Sequence, residues 1–228
     1  MNLCRALCLL LLTMPLSVFA QKAPQTLRGV ETKQLKKLLQ RLEAGDFQAA
    51  LHDIRTDRST AYVITNQVNV LFYEWGASHP EAAMKSALTM GLRTYTASKS
   101  AIEGMANTTP EHALSALETL PLGKNHGDNI RTSFFRALAR LDPAKALTFL
   151  DQLDESEHRT AKEGIVSGWI NHSSEEALAW ISEHERKEER QALLSMAMTI
   201  WAANDFPAAL AHLKSLPTDD PDMPTIVS

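Results

Sequence analysis

Eight histidines are spread along the chain, at His52, His79, His112, His126, His158, His172, His184 and His212. Imidazole is the usual general base near neutral pH and the commonest transition-metal ligand, so their spacing is weighed first. His184-Glu185-Arg186-Lys187-Glu188 opens like a helical zinc-protease motif. The second histidine, four residues on, is missing, so two ligands cannot share one helical face. Gly123-Lys124 lacks the preceding glycine of a phosphate loop, and no serine sits in a Gly-x-Ser-x-Gly elbow. Asp128 and Asp151 have no spacing that makes a carboxylate pair. Both cysteines, Cys4 and Cys8, lie at the extreme N-terminus, so the rest of the chain has no thiolate to offer. No catalytic, cofactor or metal site is expected from these residues.

The elements that would carry any site follow one repeating pattern. Six residues suited to capping a helix recur at Asp46, His79, Thr109, Asp142, Ser173 and Asp205, 30 to 33 residues apart. Four residues past each cap is alanine: Ala50, Ala83, Ala113, Ala146, Ala177 and Ala209. The next residue is always leucine or methionine, and four residues before each cap sits Leu42, Trp75, Met105, Leu138, Trp169 or Trp201. The positions seven and eight before the cap are apolar in every unit, which completes a helical stripe ahead of the cap. A second stripe runs four, five and eight past it. Each unit therefore reads as two helices, A and B, joined at the cap. A fixed period in this range marks a stacked array, because a lone hairpin cannot bury both stripes.

Several residues stand out against that register. The alanines read as the place where paired helices cross most closely, since only a β-carbon fits between near backbones. Gly164, Gly168 and Gly104 would allow either a close crossing or a hinge. Trp75, Trp169 and Trp201 share one position; core filling is the simpler role, because Leu42 and Leu138 stand in for them. Ser173 with Glu176 has the form of a capping box. Asn107-Thr108-Thr109 and Asn171-His172-Ser173 match a glycosylation acceptor, but both lie where helix caps are wanted anyway. Pro121 to Asn129 reads as the longest loop between helices, and Lys124 and His126 within it are the residues placed to reach a partner.

Gly45-Asp46-Phe47-Gln48-Ala49-Ala50-Leu51 resembles the turn and second-helix start of a tetratricopeptide repeat, and Asn204-Asp205-Phe206-Pro207-Ala208-Ala209-Leu210 resembles it too. The resemblance covers roughly residues 34–217 and is carried by helix B. Helix A departs from the family: its Leu-Gly pair and its closing proline are absent. What the resemblance implies is an all-α fold, an α-α superhelix (solenoid) of about six helical hairpins, that binds proteins or peptides and performs no chemistry.

Residues 1–20, with Arg5, a short run from Leu7 to Leu12 and small residues before Ala20, read as a cleavable secretory signal. Residues 21–33 then form a polar linker, 34–217 the repeat domain and 218–228 a tail. The formal net charge is −4, which gives a nucleic-acid partner no clustered basic surface to use. No segment after the signal is apolar enough to span a bilayer. The expectation is an exported scaffold, periplasmic or secreted, for a protein or peptide partner. The alternatives are an enzyme or accessory acting on cell-envelope polymer, and a structural homo-oligomer built through the C-terminal hairpin.

Overall fold

A polar cap, an alanine and a leucine at fixed spacing produce helical hairpins in the order expected. The computed structural model describes residues 30–121, 123–183 and 186–215. Among them are twelve α-helices and no strand: α1 (Val30–Glu43), α2 (Phe47–Thr56), α3 (Ala61–Ser78), α4 (Pro80–Ala87), α5 (Thr94–Ala106), α6 (Pro110–Thr119), α7 (Lys124–Ala139), α8 (Pro143–Leu150), α9 (Glu155–Trp169), α10 (Ser174–Ser182), α11 (Lys187–Asn204) and α12 (Phe206–Ser215). Residues 1–20, expected to be a signal, residues 218–228, expected to be a tail, and His184 lie outside the described residues. No described helix is long and apolar enough to cross a membrane.

The chain forms two compact units, Met1–Gln67 and Val68–Ser228, and the division falls within α3. In the first, α1 turns into α2 through Gly45, whose φ of 70° suits a residue without a β-carbon. Gly45 N–H donates to the Leu42 carbonyl at 3.0 Å and Asp46 N–H to that of Arg41 at 2.9 Å, which closes the helix end. α1 begins at Val30, four residues inside the expected linker, since nothing between Gly29 and Leu35 breaks a helix. Leu38 is buried there, while Leu39, part of the expected stripe, is exposed.

In the second unit the long helices α5, α7, α9 and α11 alternate with the short ones. Each long helix packs on its own short partner, on the short helix before it and on the neighbouring long helices, and α7 with α9 is the most extensive pairing. Phe72, Phe134, Phe135, Ile102, Ile165 and Ile181 are fully buried between them.

The caps divide by chemistry. Asp46, Asp142 and Asp205 accept hydrogen bonds from the amides of Ala49, Lys145 and Ala208, at 2.9 to 3.1 Å. His79, Thr109 and Ser173 make no side-chain cap bond. Pro80 and Pro110 follow two of these at the first helical position, where a missing amide costs nothing, as Pro143 does after the bonded Asp142. The capping box expected of Ser173 and Glu176 does not form; Glu175 and Glu176 instead place charge in the first turn, at the positive end of the helix dipole. The loop expected over Pro121 to Asn129 is also shorter, because α7 already begins at Lys124. Its first turn tolerates Gly127, whose amide reaches the Gly123 carbonyl at 3.1 Å.

Backbones also approach closely at positions other than the repeat alanines. All six repeat alanines are buried, at 1% exposure or less. The glycines give close main-chain contacts between long helices, α3 with α5 and α7 with α9. A β-carbon at Gly168 would collide with the carbonyl oxygen of Arg136, one at Gly164 with that of Thr132, and one at Gly104 with that of Tyr73. Counted from the caps, Gly168 and Gly104 share the position five before, and Gly164 lies nine before. α5 fills those two places with Ser100 and Gly104, and α7 with Ser133 and Ala137. Ser100, Ser133 and Ala137 are themselves buried. The glycines are therefore crossing residues and not hinges. α11 carries Met196 and Ile200 at the same two places.

Alanine favours a helix over glycine by about 1 kcal/mol. Gly168→Ala should nevertheless destabilise the protein by about 1–3 kcal/mol in urea denaturation, since the Arg136 carbonyl has nowhere to move. Gly127→Ala, with nothing within 4 Å of the new methyl, should be neutral or stabilising. Asp142→Ala should cost about 1 kcal/mol, and Ser173→Ala a few tenths at most.

Candidate interaction surface

Helices α3, α5 and α7 carry polar residues at spacings of four, on the side away from their buried stripes. Tyr73, Glu103 and Arg136 lie six before their caps, Asn69, Lys99 and Thr132 ten before, and Asn107 and Arg140 two before. Side chains four apart on one helix face the same way, so rows of equivalent residues meet across neighbours.

The bonds between them confirm the juxtaposition. The Asn107 amide nitrogen donates to the Tyr73 hydroxyl. The Ser100 hydroxyl donates to Asn69 Oδ1 at 3.1 Å, and the Thr108 hydroxyl to the Ala77 carbonyl at 2.9 Å. Lys99 Nζ and Glu103 Oε1 are 2.9 Å apart, and Arg136 Nη2 approaches the same carboxylate at 3.6 Å. Arg136 also donates to the Ser133 hydroxyl at 3.0 Å. Ion pairs this open to water add little stability, so their effect is to hold the long side chains in place.

Asn107 is the singular member. Its Oδ1 is buried and has no partner. Were the amide turned over, Tyr73 would donate to Oδ1 and the NH2 group would be left over. In either orientation one end of the amide goes unmatched by protein, which is costly for a buried polar group.

Burial pushes the Tyr73 phenol above its ordinary value of 10.0, against the pull of the Arg140 charge, so the hydroxyl stays neutral and can both donate and accept. Burial alone pushes the Glu74 carboxyl upward. Among the described residues neither Glu74 nor the exposed Arg140 has an ion pair. The patch therefore offers a neutral phenol, an incompletely bonded amide and three cations against the carboxylates of Glu103 and Glu74. That is equipment for hydrogen-bonded and ionic recognition. No group of histidine, cysteine or acidic residues that could hold a metal ion occurs among the described residues.

The residues singled out from sequence lie elsewhere. His126 is exposed at the start of α7, its ring 4.8 Å from that of Tyr95 on α5; the Lys124 side chain lies outside the described residues. Trp75, Trp169 and Trp201 are 3%, 9% and 9% exposed, with Trp169 6.1 Å from the ring of Trp180. Trp169 Nε1 is buried without an acceptor. Spacing from the caps could have found Tyr73, Glu103 and Arg136, because they occupy one register, but nothing in the sequence marks them as touching.

A scan against protein-family models finds no match, and searches of curated proteins and of solved structures find none either.

A carboxyl whose folded-state pKa lies above its unfolded value costs stability once the pH rises past that unfolded value, here about 4.5, and costs nothing below it. Glu74→Gln should therefore raise the urea midpoint at pH 7 and leave it unchanged near pH 3.

Proposed function

We propose that the chain is an exported helical-repeat scaffold of divergent tetratricopeptide type, whose second unit stacks its hairpins in solenoid fashion and binds a protein or peptide partner. The polar rows of α3, α5 and α7 form the binding face. The observation that supports this most is the Asn107 amide, held by Tyr73 and left with one end unmatched beside the unpaired charge of Arg140. A partner segment would complete the amide with its own donor or acceptor and set an acidic group against Arg140. The supporting physics is rigidity: recognition groups mounted on helices fixed by glycine-tight crossings lose little entropy on binding. Export and the signal at 1–20 belong to the same proposal and rest on the sequence alone.

The test is capture of a defined band from cell-envelope extract by immobilised protein. Wild type should retain it, and Arg140→Glu combined with Asn107→Ala should lose at least tenfold of the captured amount, a loss of about 1.4 kcal/mol or more. His126→Ala should capture as wild type does. Equal capture by the double variant, with unchanged helical circular dichroism, would overturn the assignment of this face. Elution as an oligomer that dissociates when residues 205–228 are removed would favour self-assembly instead.

A further inference from the structure

The first unit contains a cleft of about 250 Å³ between α1, α2 and the start of α3. Its apolar side is Leu38, Ala50 and Ile54, all buried. Its polar side is an arrangement around two carboxylates that are treated differently. Asp53 is neutralised: Lys37 Nζ lies 2.9 Å from Oδ1 and Arg41 Nε 3.3 Å from Oδ2. Asp57 has no ion pair among the described residues and is held only by neutral donors. Its Oδ1 accepts from the Ser59 amide at 2.9 Å, the Ser59 hydroxyl at 2.6 Å and Gln34 Nε2 at 3.2 Å. Its Oδ2 accepts from Gln67 Nε2 at 2.9 Å, and the Arg58 backbone amide also acts on the carboxylate.

Burial raises the Asp57 pKa, but the bonds from Ser59 and Gln67 outweigh it, and the carboxyl titrates below its ordinary value. The group is thus an anion at neutral pH with no counter-charge, and one of its oxygens has capacity left over. Gln34 supplies a second, separate sign of incompleteness. Its Nε2 is used twice, on Asp57 and at 2.6 Å on the Ser59 hydroxyl, while its Oε1 is buried without a donor. Both cations of the cleft, Lys37 and Arg41, are spent on Asp53, so Asp57 is left without a cation of its own among the described residues and Gln34 Oε1 without a donor. An arginine fork is planar and wide; an ammonium is compact and carries three donors on a flexible apolar stem. A cleft of this volume, with an aliphatic wall beside a lone carboxylate, suits the second.

We propose that this cleft binds a primary ammonium on an aliphatic stem, of the kind a lysine side chain presents. The ammonium bonds Asp57 Oδ2, and a second N–H goes to Gln34 Oε1, while Gln34 Nε2 keeps its bonds to Asp57 and Ser59. The stem lies along Leu38, Ala50 and Ile54, as lysine stems do on apolar surface. The site is independent of the polar face proposed for the second unit.

The probe is n-butylammonium, titrated into 15N-labelled protein at neutral pH, with 1-butanol as the uncharged control. Saturable shifts are expected in the side-chain amides of Gln34 and Gln67 and in the Ser59 backbone amide, with little response to the alcohol. Asp57→Asn keeps the acceptor for Ser59 but removes the charge, and should weaken binding about tenfold or more. Gln34→Leu, which leaves Asp57 with its other donors, should weaken it as well and guards against misfolding of the first variant. Absence of a saturable response, an equal response to 1-butanol, or unchanged binding in both variants would overturn the proposal.

Discussion

The second unit depends on one steric fact: where α5 meets α3 and where α9 meets α7, only glycine hydrogens lie between the main chains. Gly168 and Gly164 face the carbonyls of Arg136 and Thr132, and Gly104 faces that of Tyr73. Gly104 and Gly168 share one register, so they fix how α5 and α9 are rotated on their neighbours as well as how near they come. That rotation turns Phe134, Phe135 and Ile165 inward. It also turns Tyr73, Glu103 and Arg136 to a common side, where bonds such as Asn107 to Tyr73 become possible. The recognition face is a by-product of the same geometry that builds the core.

Fold class was legible because it rests on local chemistry. Alanine at one position in each of six units, prolines after three caps and apolar stripes at helical spacing all act within a turn or two, and each leaves a trace in the residue types. Buried Ala50, Ala83, Ala113, Ala146, Ala177 and Ala209 follow from that trace. Where the traces were ambiguous, neighbours decided. Gly164 and Gly168 are compatible with a hinge until the Arg136 and Thr132 carbonyls are seen against them. Of the leucines next to the alanines, Leu51 and Leu178 are buried while Leu114, Leu147 and Leu210 remain half-buried.

The candidate sites were much less visible. Tyr73 and Asn107 are 34 residues apart, and neither is an unusual residue in its own helix. Nothing in its own stretch of sequence marks Asp57, because its value comes from Ser59, Gln34 and Gln67 converging on it. A hydrogen-bond network has no periodicity, so counting along the chain does not reveal it. The loop that did attract notice, around Lys124 and His126, turned out to be largely the first turns of α7.

The substitution of Ile200 and Met196 for small residues in α11 has its own implication. Main-chain carbonyls have no rotamers with which to yield, so the positions occupied by Gly104, Gly164 and Gly168 admit no enlargement, whereas α11 has already accepted bulk at both. Drift under selection should then be sharply uneven along the array. At those two positions α11 is free to vary, whereas α5 and α9 are held to glycines whose contribution is the space they leave empty.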